Sequence, residues 1–318
     1  MQDYINHKLE SLNWHLSPEE LYIPIGYALE SSGKRIRPAL VLMACELFGG
    51  KKEEALPAAL AIEIFHNFTL LHDDIMDNAD VRRNRPTVHK KWDANTAILS
   101  GDTMMIKSYE FLEKLPIPMW SKVFPIFTRT ALEICEGQQL DMNFEKSEEV
   151  TLDLYLKMIR LKTAVLLGAA LQIGALLGGA SDSDANNLYD YGIAIGIAFQ
   201  LRDDYLDTFG DPKTFGKRIG GDIVCAKKTF LLIKAYEKAN LDERHRIKET
   251  LANSQINEQQ KIDEISTIYK QLQIPTMCEE AMNFYYNGAI EALARLQGHA
   301  GSTQTLVDLA EQLMGRNK

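Results

Sequence analysis

Apolar residues recur at intervals of three and four along almost the whole chain, the spacing of helices with one buried face. Breaks in that pattern predict the elements. Ser17-Pro18-Glu19-Glu20 reads as a helix start, with Ser17 as N-cap, Pro18 in the first position and a glutamate closing a capping box. That helix ends near Gly33. Pro38 opens the next, which runs through Leu47 and is closed by Gly49-Gly50. A long helix follows from about Glu53 to Asp77, then Asn95 to Leu115, Ser121 to Leu140, Leu152 to Gly179 and Asp184 to Asp207. Beyond Leu231 the chain reads as amphipathic helices with ordinary caps. No strand run or short internal repeat stands out, so the expectation is all-α.

Thr163 to Ala180 carries no charge for eighteen residues, close to the lower limit for a membrane span. It contains Gln172 and four glycines, Gly168, Gly174, Gly178 and Gly179, and small residues let helix backbones approach. It is read as a buried core helix. With 318 residues, 46% of them hydrophobic, and no linker, one large domain over residues 1–318 is expected. A formal net charge of −9 argues against a nucleic-acid surface. Cys45, Cys135, Cys225 and Cys278 share no metal spacing and read as reduced core residues of a cytoplasmic protein. Met1-Gln2-Asp3-Tyr4 lacks the basic-then-apolar layout of a signal peptide.

Two acidic triplets change the picture: Asp73-Asp74-Ile75-Met76-Asp77 and Asp203-Asp204-Tyr205-Leu206-Asp207, each D-D-x-x-D. On a helix the first and last Asp are four residues apart and the second and last three, so each triplet puts three carboxylates on one patch. Like charges at that spacing repel, and the macrodipole disfavours carboxylates late in a helix, where both triplets fall. A positive partner is implied. Oxygen ligands without a Cys or His pair point to Mg²⁺ or Ca²⁺, and Mg²⁺ leaves positions for water and substrate phosphates. One such triplet is as readily a solvated helix end; the repeat, above apolar segments at Leu70-Leu71 and Phe199-Gln200-Leu201, disfavours that.

Basic clusters accompany the acids: Lys34-Arg35-Ile36-Arg37, Arg82-Arg83-Asn84-Arg85, and Lys213 to Arg218 followed by Lys227-Lys228. Each is either a solvated loop or a phosphate grip. The Arg82 cluster, next to an acid patch, either neutralises it or holds a metal-bound phosphate. Lys162, entering an apolar run, reads as a snorkelling side chain. No P-loop signature occurs. Two acid patches and several basic ones in an apolar helical fold suit two diphosphates held through Mg²⁺, with apolar walls keeping water from a carbocation.

Five motifs now appear in order: Gly33-Lys34-Arg35-x-Arg37-Pro38; Leu71-His72-Asp73-Asp74-x-x-Asp77-x-x-x-x-Arg82-Arg83; Lys162-Thr163; Phe199-Gln200-x-x-Asp203-Asp204-x-x-Asp207; and the Gly216-Lys217 loop. Together, over nearly the whole chain, they resemble the trans-isoprenyl diphosphate synthases, or polyprenyl synthetases. The resemblance implies a single helical bundle around a deep apolar cavity, usually a homodimer, and head-to-tail 1′-4 condensation of isopentenyl diphosphate with an allylic diphosphate. It implies that Asp73, Asp74, Asp77, Asp203 and Asp204 hold Mg²⁺ on the allylic diphosphate, with Asp207 at the motif's last position, directly or through water. It assigns Arg82, Lys162, Lys217 and nearby Lys227 to that diphosphate. Lys34, Arg37, His66 and Arg83 would bind isopentenyl diphosphate, and Thr163 and Gln200 would face the allylic cation. Asn84 stands where glycine is frequent, and Gly220-Gly221-Asp222 where Gly-Ser-Asp is common.

In the family a bulky residue five positions before the first Asp limits product length, and here it is Phe68, with the small Thr69 beside it. Phe68-Thr69-x-x-His72 resembles the archaeal-type geranylgeranyl diphosphate synthases, so C20 is favoured with C15 next. Helical geometry alone does not establish this, because Phe68 lies about 140° around the helix from Asp73. A class I terpene cyclase and a non-catalytic subunit of a heteromeric prenyl synthase are the competing readings. The cyclase usually carries a different second motif, and such subunits usually lose one triplet. A calcium loop fits badly, with Asn78 at its sixth position.

Overall fold

The computed structural model describes residues 1–30, 33–211 and 219–315. Helices dominate: α1 (Gln2–Glu10), α2 (Glu19–Leu29), α3 (Ile36–Leu47), α4 (Lys52–Met76), α5 (Val88–Lys91), α6 (Ala94–Leu112), α7 (Ile117–Lys146), α8 (Leu152–Ile159), α9 (Val165–Leu177) and α10 (Asp182–Phe209), with further helices between Gly221 and Met314. The all-α expectation holds. Two departures are local. A two-residue hairpin pairs β1 (Val81–Arg82) with β2 (Arg85–Pro86), too short to leave an alternating pattern in the sequence. Helix α2 starts one residue late, at Glu19, with Pro18 as N-cap and no side-chain cap, so the predicted Ser17 capping box does not form.

The described chain divides into two compact units. The first comprises Met1–Thr128, Ala169–Tyr189 and Gln297–Gly301; the second comprises Arg129–Gly168, Asp190–Leu296 and Ser302–Lys318. In the first unit, α4 packs chiefly against α6 and α3. Ala55, Ala58, Ala59 and Ala61 are buried on α4, and short side chains let neighbouring helices come close. An aromatic cluster of Phe65, Phe68, Tyr109 and Phe127 fills the space below the first triplet. In the second unit, Tyr155, Leu201, Phe230, Ile265, Tyr269 and Met282 belong to one apolar core.

The apolar segment Leu152–Leu177 is long and apolar enough to cross a membrane, but 78% of its apolar window is buried within the protein. Its glycines do what small residues in a core helix are for. A Cβ on Gly174 would lie 2.2 Å from the Val41 carbonyl oxygen, and one on Gly178 2.4 Å from that of Cys45. The cysteine reading needs one correction: Cys45 and Cys278 are buried, whereas Cys135 and Cys225 are exposed, because each falls on a solvent-facing position.

Candidate active site

Each of the two units carries one polar constellation. In the first, α4 carries its triplet to the helix end. Asp73 and Asp74 stand in the last turn and Asp77 is the C-cap, its N–H bonded to the Asp73 carbonyl at 2.9 Å. The backbone then reverses through Asn78, at φ 50°, and the hairpin brings Arg82 back. Arg82 Nε donates to Asp74 Oδ1 at 2.7 Å and its Nη2 to Asp73 Oδ2 at 3.4 Å. Of the two readings open for this basic loop, neutralisation of the patch is the arrangement seen. Asp74 is buried, and burial raises its pKa against the opposing pull of Arg82.

The hairpin turn explains the asparagine that stands where glycine is frequent. Arg83 and Asn84 both have positive φ, 52° and 62°, as a type I′ turn requires, and asparagine is one of the few side chains that tolerates it. Arginine does not favour that conformation, so Arg83 is held there at a cost of about 1–2 kcal/mol. The result places its guanidinium against Gly33, where a Cβ would come within 2.6 Å of Nη1. A second left-handed arginine, Arg35 at φ 50°, starts α3 as its N-cap. It sends its own side chain inward: Nη1 meets Glu63 at 2.6 Å, Nη2 the Leu29 carbonyl at 2.5 Å and Nε the Asn6 amide oxygen at 3.1 Å. Asn67 Nδ2 donates to the same Glu63 at 3.0 Å.

Above this buried pair sit the residues assigned to isopentenyl diphosphate. Arg37 Nη1 lies 3.1 Å from His66 Nε2. Burial, and then the charge of Arg37, hold the His66 pKa well below 6.5, so the imidazole is neutral and accepts from Arg37. Arg37 itself is pushed down to about 10 by burial, partly offset by Glu63. Its Nε is buried without a hydrogen-bond partner. The charges of Arg35, Arg37, Arg82 and Arg83 all bear on His66. Arg37, His66 and Arg83 therefore share one electropositive place, with Lys34 exposed three residues before Arg37. Such a cluster is costly unless an anion meets it.

In the second unit, the run from α8 to α9 is interrupted by a π-helical turn, Arg160–Ala164, which contains Lys162 and Thr163. On α7, Gly137 lies against this backbone, and a Cβ there would fall 2.4 Å from the Lys162 nitrogen. Such bulges re-aim side chains and are frequent at functional sites. Lys162 Nζ pairs with Asp141 at 2.6 Å, so it is an ion-paired group and not a snorkelling one. Thr163 Oγ1 donates to Gln200 Oε1 at 3.3 Å, Gln200 Nε2 to Asp204 Oδ1 at 3.1 Å, and the Tyr155 hydroxyl to Asp204 Oδ2. Burial raises Asp204 to about 6 against the lowering effects of Tyr155, Lys227 and Gln200, and Asp203 pushes it further up. Lys227 is exposed. Asp207 accepts the Asp222 N–H at 3.0 Å, and its carbonyl accepts that of Gly220, tying the Gly220-Gly221-Asp222 turn to α10. Lys217 lies outside the described residues.

Glu63, Asp141 and Tyr155 were not legible as site residues. Glu63 had a usable signal, a lone acid inside the apolar run Ala58 to Phe65, which implies a buried cation partner. Tyr155 reads only as a core aromatic on α8.

Residues 18–272 match the polyprenyl synthetase family. The chain is 38% identical over 307 residues to the geranylgeranyl diphosphate synthase of Sulfolobus acidocaldarius, covering 94% of this chain and 92% of that one. It is 48% identical over 224 residues to that of Methanosarcina mazei, covering 70% and 69%. A crystal structure of a geranylgeranyl pyrophosphate synthase superposes with a TM-score of 0.93 at 44% identity, covering 99% of this chain and 98% of that one. The protein is therefore a prenyltransferase of the all-α isoprenoid type. It belongs to the polyprenyl synthetase family, the trans-isoprenyl diphosphate synthases, which build prenyl diphosphates.

Proposed function

We propose that the chain condenses isopentenyl diphosphate head-to-tail with allylic diphosphates in a Mg²⁺-dependent reaction and releases a short-chain product, geranylgeranyl diphosphate before farnesyl diphosphate. The observation that carries this is the Arg37–His66–Arg83 cluster beside Gly33, an electropositive place in the same unit as an acidic triplet. A terpene cyclase has no use for a second diphosphate site of that kind. The donor chemistry of both triplets suits Mg²⁺, since every side-chain donor in them is a carboxylate oxygen, although no three metal-ligating side chains converge among the described residues. Mg²⁺ typically takes one or two carboxylates and completes its shell with water and phosphate oxygens. Asp73, Asp74 and Asp77 with Asp203, Asp204 and Asp207 would hold it, and once bound it would stabilise charge on the departing diphosphate.

The protein's own groups do the rest. Lys34, Arg37, His66 and Arg83 hold isopentenyl diphosphate, with neutral His66 orienting Arg37. Arg82, Lys162, Lys217 and Lys227 grip the allylic diphosphate. Arg82 and Lys162 exchange their present partners, Asp73, Asp74 and Asp141, for phosphate oxygens. Thr163 and Gln200 present oxygens to the developing cation. Phe68 closes the cavity in which the product grows. We take residues 1–318 to act as one catalytic domain in the cytoplasm, and as a homodimer; exposed Ile98, Leu99 and Ile106 on one side of α6 support an interface between copies.

Asp203→Ala tests the mechanism. Turnover should fall by orders of magnitude with the fold intact, read from steady-state rates and a thermal melt. A near-normal rate would remove the second triplet from the reaction.

A further inference from the structure

Asp204 is buried, and both of its oxygens are engaged by protein donors: the Tyr155 hydroxyl at Oδ2 and the Gln200 amide nitrogen at Oδ1, 3.1 Å away. The line continues, because the Gln200 amide oxygen accepts from Thr163 at 3.3 Å. Its polarity is self-consistent: a flipped Gln200 would aim an amide oxygen at a carboxylate and leave the Thr163 hydroxyl to find another acceptor. Tyr155 is only 1% exposed, so no solvent can substitute for its hydroxyl. A phenol is protonated at neutral pH, so the hydroxyl is the donor and the carboxylate the acceptor. A carboxylate has about four lone-pair sites, so two hydrogen bonds leave sites open on each oxygen.

We propose that Tyr155 is a positioning residue of the reaction: its hydroxyl locks the Asp204 carboxylate in one rotamer, and through Gln200 and Thr163 links that carboxylate to the π-helical turn. This deepens the reading of Asp204 as a Mg²⁺ ligand and rests on it. Without the Tyr155 bond, the carboxylate turns about its last torsion and is held at one oxygen only. Residues that orient metal ligands in this way are worth about 10–100-fold in metal affinity.

The test uses the full chain, Mn²⁺ as a paramagnetic stand-in for Mg²⁺, and inorganic diphosphate to complete its shell. Mn²⁺ affinity is read by electron paramagnetic resonance for the wild type, Tyr155→Phe, Gln200→Leu and Asp204→Ala. Tyr155→Phe should weaken Mn²⁺ by about 10–100-fold, and raise the Mg²⁺ concentration for half-maximal rate in step. The KM for isopentenyl diphosphate should stay within about twofold, since its cluster belongs to the other unit. If Tyr155→Phe does not fold, Gln200→Leu carries the test, because it cuts the same line at the other oxygen and should also weaken Mn²⁺. Unchanged Mn²⁺ affinity in the folded variants overturns the proposal. So does a parallel loss of metal affinity, isopentenyl diphosphate affinity and melting temperature, which marks a merely structural tyrosine. Sensitivity to Asp204→Ala without sensitivity to Tyr155→Phe ends the positioning role alone. Insensitivity to Asp204→Ala ends the ligand assignment and the role together.

Discussion

His66 shows how one side chain reports a site. Its imidazole is neutral because burial and four arginine charges oppose protonation. The unfolded chain protonates this residue near pH 6.5, whereas the folded one does so only well below that, so the unfolded state binds more protons in between. Stability contributed at residue 66 is therefore lost as pH falls from about 6.5 toward the folded value. His66→Gln should lose less stability than wild type between pH 8 and pH 5, read from urea melts; equal losses would mean the histidine is not held neutral. Phe68 makes a different kind of claim. It is buried, 5.2 Å from Phe65 and 4.9 Å from His72 between ring centres. Phe68→Ala should cost about 3–5 kcal/mol of stability and lengthen the product, resolved by mass. An unchanged chain-length distribution would remove Phe68 as the floor. At this scale the sequence was partly readable. The carboxylates announced themselves through spacing and charge, and Arg37 through its place in a family motif, whereas Tyr155 did not, since its partner lies 49 residues away.

Elements set where those side chains point, and here glycine and left-handed turns matter more than helix propensity. The π-helical turn at Lys162-Thr163 exists against Gly137, with no room for a Cβ between α7 and that backbone. Gly137→Ala should push the turn away, misaim Lys162 and Thr163, and lower kcat more than it raises the KM for isopentenyl diphosphate. Overpacking of this kind costs about 1–3 kcal/mol, so a thermal melt accompanies the kinetics. A kcat within about twofold of wild type would mean the turn does not set the rate. Helix existence was legible from periodicity for the long helices, whereas α1 and the four-residue α5 were not singled out. Helix ends were less so, because the Ser17 cap depends on how the preceding chain enters α2, and the π insertion leaves the apolar spacing of Leu152 to Leu177 almost unaltered. The hairpin at Val81 to Pro86 is fixed by two positive-φ residues, only one of which, Asn84, favours that conformation.

Across the whole molecule, a net charge of −9 coexists with a concentrated positive site, which is how an acidic protein binds anionic substrates. Five motifs spread in order from Gly33 to Lys217 carry the resemblance to the family, whereas each charge cluster taken alone is equally a solvated loop or helix end. The central claim is that these charges serve metal-dependent condensation of two diphosphates. The most direct test is to incubate the purified protein with Mg²⁺, isopentenyl diphosphate and, separately, C5, C10 and C15 allylic diphosphates, with a chelator control, and to weigh the products. Products that end at C20 or C15 and vanish with the chelator are predicted. Folded protein that condenses none of these primers, or does so equally well without metal, would contradict the account.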